Sequence, residues 1–355
     1  MEATAIDQAK LEAFAARAIS DIAAAYGGVM VSLGSKLGLY KAMAGAGPLS
    51  ARQVAARAGC AERYVREWLN AQAASGYIDY HAESDTYELS PEHAVVLADD
   101  TSPAYIAPAW NVPASMFIDE QKAIEAFRTG KGVAWGEHDE RLQCGVAAFY
   151  RNGYQANLVP HWLPALDGVV EQLEAGISVA DIGTGFGHST VLMARAFPQS
   201  RFFGFDVHPA SVEEARRNAT EASVADRATF AVARAVDYPD EQYGLICFFD
   251  SLHDMGDPVA ALRHAAEVLA PGGTVLLIEP FANDRVEDNF SVAGQLYYAA
   301  STTICVAHAI SEGGPYALGA QAGEARLAEV ARKAGFSHFR RAAATPFNLI
   351  LELRR

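Results

Sequence analysis

Along residues 5 to 26, A-I-D-Q-A-K-L-E-A-F-A-A-R-A-I-S-D-I-A-A-A-Y, the apolar positions Ile6, Leu11, Phe14, Ile19, Ile22 and Tyr26 recur at helical intervals. The spacing predicts an amphipathic N-terminal helix whose stripe covers its own domain or packs on a partner subunit, with the partner favoured. Ser50 reads as the N-cap of a helix from Ala51 to Ala58 that stops at Gly59. A further helix is expected from about Glu62 to Ala74, ending at Gly76, then two short strands, Tyr77–Tyr80 and Thr86–Leu89, around a polar turn. Helices followed by a hairpin are the order of a winged helix-turn-helix. Residues 101–165 carry Pro, Gly and aromatics, with one expected helix in F-I-D-E-Q-K-A-I-E-A-F-R-T-G. They read as a helical connector lining a cavity, or as a plain linker.

From about Leu166 the period changes. Apolar runs I-S-V-A-D-I-G, R-F-F-G-F-D, A-T-F-A-V, Y-G-L-I-C-F-F-D and T-V-L-L-I-E-P alternate with helical stretches such as S-T-V-L-M-A-R-A-F and P-V-A-A-L-R-H-A-A-E-V-L. That alternation predicts an α/β fold, a Rossmann-like doubly wound, mainly parallel sheet. Two closing strands are expected in F-S-H-F-R-R-A-A-A-T-P-F-N-L-I-L-E-L. The division is therefore 1–100, an α-helical winged-helix-like domain; 101–165, the connector; and 166–355, the catalytic domain. Ligands of such sheets sit outside the C-terminal ends of the strands.

Composition adds limits. The chain of 355 residues has a net charge of −15, which disfavours nucleic acid and anionic membrane surfaces. Cys60, Cys144, Cys247 and Cys305 are scattered without metal or redox spacing, and suit a reducing compartment. The opening M-E-A-T-A-I-D-Q has no basic leader, and no run approaches the ~18 apolar residues of a membrane span. A cytoplasmic location is expected.

The first strand of the α/β region ends in V-A-D-I-G-T-G-F-G-H-S, that is Asp181-x-Gly183-x-Gly185-x-Gly187. A dinucleotide fingerprint would put glycine where His188 stands, and the acidic residue ahead of the glycines suits a cationic ligand better than a pyrophosphate. The loop resembles that of class I S-adenosylmethionine-dependent methyltransferases, over about Leu166 to Arg355. The resemblance implies S-adenosyl-L-methionine as cofactor. Asp181 and the Gly183–Thr184–Gly185–Gly187 backbone would hold its methionyl part, and Asp206 the ribose hydroxyls. Val207 would pack on the adenine, and Arg234 lies where the family contacts that ring.

The phrase S-L-H-D-M-G-D-P, after strand L-I-C-F-F, resembles the L-H-D-W-S-D element of two-domain small-molecule O-methyltransferases, which carry a winged-helix-like dimerisation domain. That resemblance makes His253 the general base, oriented by Glu279, and leaves Asp250 to the cofactor's amino group. Asp257, before Pro258, is expected to cap the next helix. Two departures stand out. Met255 replaces the family's Trp, and the second acidic residue of a G-x-E-R-T segment has only Glu324 to answer it, off register. The acceptor pocket is expected among Trp110, Phe117, Tyr154 and Tyr297, with a flat hydrophobic small molecule as acceptor, a homodimer as assembly and no required metal. The alternatives are a winged-helix transcriptional regulator and a methyltransferase acting on N, C or S. The regulator is disfavoured by the acidic hairpin H-A-E-S-D-T-Y-E.

Overall fold

The computed structural model describes residues 6–355; residue 5, where the first expected helix begins, lies outside the described residues. The chain forms two compact units, Met1–Ala114 and Ser115–Arg355.

In the first unit a helix runs from Gln8 to Lys36, beyond the Gly27–Gly28 pair at which the sequence pattern ended. Gly28 does not break it. A Cβ there would come within 2.7 Å of the Trp110 indole, so glycine serves close packing at this position. This helix corrects the expectation that no segment is long and apolar enough for a membrane. It has 29 residues and an 18-residue window of mean hydropathy 1.2, of which 6% is buried. Counting unbroken apolar residues missed it, because a few charges interrupt an otherwise Ala-rich run.

The helices Ala51–Ala58 and Glu62–Ala74 fall where expected. Ser50 and Gln53 cap the former reciprocally, each side chain bonding the other's backbone N–H. Gly59 closes it at φ +65°. Strands β1 (Asp79–His81) and β2 (Thr86–Glu88) pair antiparallel as the wing. The core beneath contains Val31, Tyr40, Val54, Trp68, Leu69 and Tyr87. The arginines of helix Glu62–Ala74 are engaged by acids: Arg63 with Glu67, and Arg66 with Glu62 and Asp85.

The second unit holds a seven-stranded sheet in the order β5-β4-β3-β6-β7-β9-β8. Its strands are β3 (Ser178–Ile182), β4 (Arg201–Asp206), β5 (Ala228–Val232), β6 (Tyr243–Phe249), β7 (Leu269–Pro280), β8 (His338–Ala344) and β9 (Asn348–Arg354). The first five run parallel, while β9 is antiparallel to both β7 and β8. Every residue of β6 is buried, as its unbroken apolar run requires for a strand covered on both faces. The direction of strand succession reverses between β3 and β6, which opens a crevice at their carboxyl ends.

Residues 115–165 belong to this unit. Where one helix was expected, Asn111–Ile118 and Glu120–Thr129 flank Asp119. The Asp119 carboxylate accepts from Lys122, His138 and the Asp139 N–H, so the chain turns there. The segment after β7 folds as helix Val292–Ala300, a π-helical turn Ser301–Cys305 and helix Val306–Ser311. Asp257 caps the helix Pro258–Val268 through the Ala260 N–H, with Pro258 in its first turn.

Candidate active site

Strand β3 ends in a turn that only glycine makes cheaply. Gly183, Gly185 and Gly187 have φ of +74°, +54° and +73°. The Gly183 and Thr184 N–H groups donate to the Phe205 carbonyl of β4, and the Gly187 N–H to the Thr184 carbonyl. A Cβ on Gly183 would meet the Ser251 side chain at 2.7 Å, and one on Gly187 would meet Phe230 at the same distance. Gly185 has nothing within 4 Å of its Cβ direction, so its backbone faces open space.

Two acids flank this turn. Asp181 Oδ2 accepts from Thr184, Ser189 and Thr190 hydroxyls at 3.1, 2.6 and 2.5 Å. Its Oδ1 is buried with no hydrogen-bond partner among the described residues. Burial raises the Asp181 pKa and the hydroxyls oppose it. Asp206, at the end of β4, accepts from the Gly185 N–H at 2.9 Å and the His208 N–H at 2.8 Å. Val207 beside it is exposed. A buried carboxylate oxygen left unpaired, a second carboxylate with lone pairs to spare and an unobstructed glycine backbone fit a cationic, diol-bearing cofactor.

The segment after β6 meets the turn through Ser251, whose hydroxyl donates to the Ile182 carbonyl at 2.8 Å. Asp250 stands at φ +50°, a left-handed conformation unusual outside glycine. Its carboxylate is clamped between the Asn348 amide at 2.9 Å and the Tyr154 hydroxyl at 3.1 Å. Burial, then the Glu279 charge, push its pKa well above the carboxylate range.

His253 is buried on a short 3₁₀ turn, Leu252–Asp254. Its Nδ1 lies 2.6 Å from Glu279 Oε2, and Glu279 Oε1 accepts the Leu252 N–H at 3.1 Å. The other ring nitrogen, Nε2, lies 3.0 Å from Asp254 Oδ1. Burial opposes a charge on the imidazole, but Asp254 and then Glu279 outweigh it and hold the His253 pKa well above its usual value. Cys305 closes the cluster, with one ligand-capable atom from each of His253, Asp254 and Cys305 within 4.8 Å of the others. Burial, and the Asp254 charge, push its thiol up to about 12.

The structure thus brings together Asp181, Gly183, Thr184, Gly185, Gly187, Asp206, Asp250, His253 and Glu279 through adjacent strand ends, with Tyr154 reaching Asp250 from helix Arg141–Asn157. Of the remaining expected residues, Tyr297 lies within electrostatic reach of Asp250 and His253, while Arg234 and Phe117 stand apart. Arg234 is exposed and forked onto Asp237. Tyr297 is buried, its hydroxyl donating to the Phe347 carbonyl at 3.0 Å. Phe117 is 71% exposed. Trp110 belongs to the first unit and packs on that unit's core. Glu324 pairs with Arg341, so the second acid beside the imidazole is Asp254. Sequence reasoning did not find Asn348, Ser189, Thr190 or Cys305. Hydroxyls two and three residues past the glycines were the available signal for Ser189 and Thr190; Asn348 and Cys305 had none.

Residues 25–99 match the model of an Rv2258c-like winged HTH domain, and residues 173–335 that of a methyltransferase domain. The 27-O-demethylrifamycin SV methyltransferase of Amycolatopsis mediterranei (strain S699) is 37% identical over 107 residues, 30% of this chain and 39% of that protein. The chain therefore spans about two fifths of that relative's length. The fold is shared with the solved mitomycin 7-O-methyltransferase MmcR, at TM-score 0.70 and 21% identity over 98% of this chain and 100% of that one. It is shared also with human N-acetylserotonin methyltransferase in complex with SAM, at TM-score 0.71 and 18% identity over 99% of both chains.

Proposed function

We propose, for a chain that joins a winged-helix region to a class I S-adenosylmethionine-dependent methyltransferase domain, that it methylates a hydroxyl of a small hydrophobic or aromatic molecule with His253 as general base. The observation that carries this reading is the buried Glu279–His253 pair, 2.6 Å apart, at strand ends that adjoin the glycine turn. The names of the similar proteins, several of them O-methyltransferases, support the acceptor class.

When bound, S-adenosylmethionine supplies an electrophilic methyl group on a sulfonium. Asp181 and the backbone from Gly183 to Gly187 would hold its methionyl part. Asp206 would take the ribose hydroxyls on the lone pairs its two present bonds leave free. Val207 would lie along the adenine, and Asp250 would face the amino group.

Glu279 accepts the Nδ1 proton and so fixes the tautomer that leaves Nε2 to accept a proton from the acceptor hydroxyl. Asp254, 3.0 Å from Nε2, stabilises the imidazolium that results. The same two carboxylates favour the imidazolium over the neutral ring, so the base acts more readily as pH rises. Tyr154 and Asn348 hold Asp250 in its left-handed turn, and Tyr150 stacks on Tyr154 at 5.7 Å between ring centres. In this reading Tyr150 and Tyr154 would form part of an apolar wall for an aromatic acceptor.

A homodimer through helix Gln8–Lys36 belongs to this reading. Leu11, Phe14, Ile19, Ile22, Tyr26 and Val29 are exposed along one stripe, which a second copy would cover. Nucleic acid is no part of it, because the wing carries no arginine and the helix Glu62–Ala74 spends its two on acids. A cytoplasmic location accompanies it, supported by four cysteines that form no disulfide.

The test is calorimetry with S-adenosylhomocysteine, followed by transfer of labelled methyl from the cofactor to a panel of phenols, alcohols, amines and thiols. Binding with transfer to oxygen is expected. Binding with transfer only to nitrogen, carbon or sulfur would replace the acceptor class, and no binding would sink the reading.

A further inference from the structure

The Cys305 thiol beside the basic face of His253 is left over from that chemistry. There a nitrogen, a carboxylate oxygen and a sulfur converge. We propose that His253, Asp254 and Cys305 form a site for one thiophilic divalent cation of the zinc class, and that its occupancy withdraws His253 from proton transfer.

Three observations carry this. The donor atoms lie within 4.8 Å of one another, and Nε2 is 3.0 Å from Asp254 Oδ1. Ligands around a tetrahedral zinc with bonds of about 2.0–2.3 Å stand about 3.3–3.6 Å apart, so small side-chain rotations suffice. Asp254 Oδ1 is buried and already faces Nε2 at 3.0 Å, so the two atoms stand side by side for a cation to share. Glu279, finally, accepts from Nδ1 and fixes the ring with Nε2 toward the other two donors. A carboxylate behind a histidine is the usual support of a histidine ligand to zinc.

The donor set selects the metal class. One thiolate, one imidazole and one carboxylate suit zinc, whereas magnesium and calcium need oxygen ligands throughout. Three protein ligands leave a fourth position to water. On binding, the Cys305 thiol proton and any proton on Nε2 pass to solvent, metal–sulfur, metal–nitrogen and metal–oxygen bonds form, and no electron changes hands. With its Nε2 lone pair in a metal bond, His253 cannot accept the acceptor's proton. The binding half stands on the cluster alone; the inhibitory half rests on His253 being the base.

The experiment is a cobalt(II) titration of the full chain after chelator treatment, read by the thiolate-to-cobalt charge-transfer band. The wild type should show the band, and zinc should remove it by displacement. Cys305→Ser should lose it, whereas Cys144→Ser, which removes an exposed thiol on another helix, should keep it. Glu279→Gln should weaken binding about 10–100-fold. A wild type without the band, or a band that survives in Cys305→Ser, overturns the site. Should circular dichroism show Cys305→Ser unfolded, Asp254→Asn decides: weaker cobalt binding is expected, and unchanged binding overturns the site. Zinc at saturating occupancy should lower methyl transfer at least tenfold, reversibly by chelator, and an unchanged rate overturns the inhibitory half. A metal-free protein with no methyl transfer at all would count against the enzymatic reading and leave the cobalt result standing.

Discussion

Glu279 reaches His253 from the neighbouring strand, Oε2 to Nδ1 2.6 Å apart, across 26 positions of sequence. Parallel pairing of β6 with β7 makes that possible. Phe249 sits opposite Ile278, so the next residues of both strands emerge at the same edge. One emerges into a 3₁₀ turn carrying the imidazole, the other as the carboxylate that orients it.

Replacing His253 by alanine should lower turnover of a phenolic acceptor at least a hundredfold, the lower end of what a general base contributes. The affinity for S-adenosylhomocysteine, measured by calorimetry, should stay within a few-fold of wild type. Near-equal turnover would remove His253 from the mechanism.

Asp254 is the largest charge raising the His253 pKa, ahead of Glu279 and against burial. A base must be neutral to act, so the rate should climb with pH as His253 loses its proton, above the ordinary imidazole range. Asp254→Asn removes that charge and should move the climbing limb of kcat toward lower pH. Full pH–rate profiles on chelator-treated wild type and variant are the measurement, and coincident limbs would refute the coupling.

Asp206→Asn should weaken S-adenosylhomocysteine binding roughly 10–100-fold, since hydrogen bonds to a charged group contribute about 1.5–3 kcal/mol. The effect should appear in KM for the cofactor, with kcat little changed. A large loss of kcat at unchanged KM would place Asp206 elsewhere in the chemistry.

Gly183→Ala and Gly185→Ala separate packing from ligand approach. At 183 a Cβ strikes Ser251, so thermal stability should drop along with binding. At 185 it strikes no protein atom, and only the left-handed backbone costs stability, about 1–2 kcal/mol. Gly185→Ala should therefore melt close to wild type yet lose most of its affinity for S-adenosylhomocysteine. Retained affinity would mean that the turn does not face the cofactor.

His188 tests linkage. Burial, with the Arg151 charge, lowers its pKa to about 4, against about 6.5 in the unfolded chain. Between those values the unfolded chain binds a proton that the folded chain does not. Stability from this residue is therefore full above pH 6.5 and is lost as pH falls toward 4, to a limit of about 3 kcal/mol. Urea midpoints across that window should fall less steeply in His188→Gln than in wild type, and parallel curves would rule the residue out.

Much of this was legible in one dimension, because it rests on local chemistry. The alternation of apolar runs and helices predicts the β3-to-β7 order, and Ser50, Gly59 and Asp257 mark helix ends through bonds spanning three or four residues. The glycine spacing announces its turn, since left-handed backbone is cheap only for glycine. The sequence pattern failed at Gly27–Gly28, where a distant indole makes glycine a packing choice, and at Glu324, which the fold gives to Arg341.

By itself the sequence determined the elements, their alternation and the residue types at the strand ends. Only the tertiary structure decided that Asp254 and not Glu324 faces the imidazole, that Asn348 and Tyr154 clamp Asp250, and that Cys305 joins His253. The physical reason is range. Caps and turns form between neighbours along the chain, whereas these contacts join residues from separate elements. They form only when burial of β6 and its flanking strands fixes which strand ends meet.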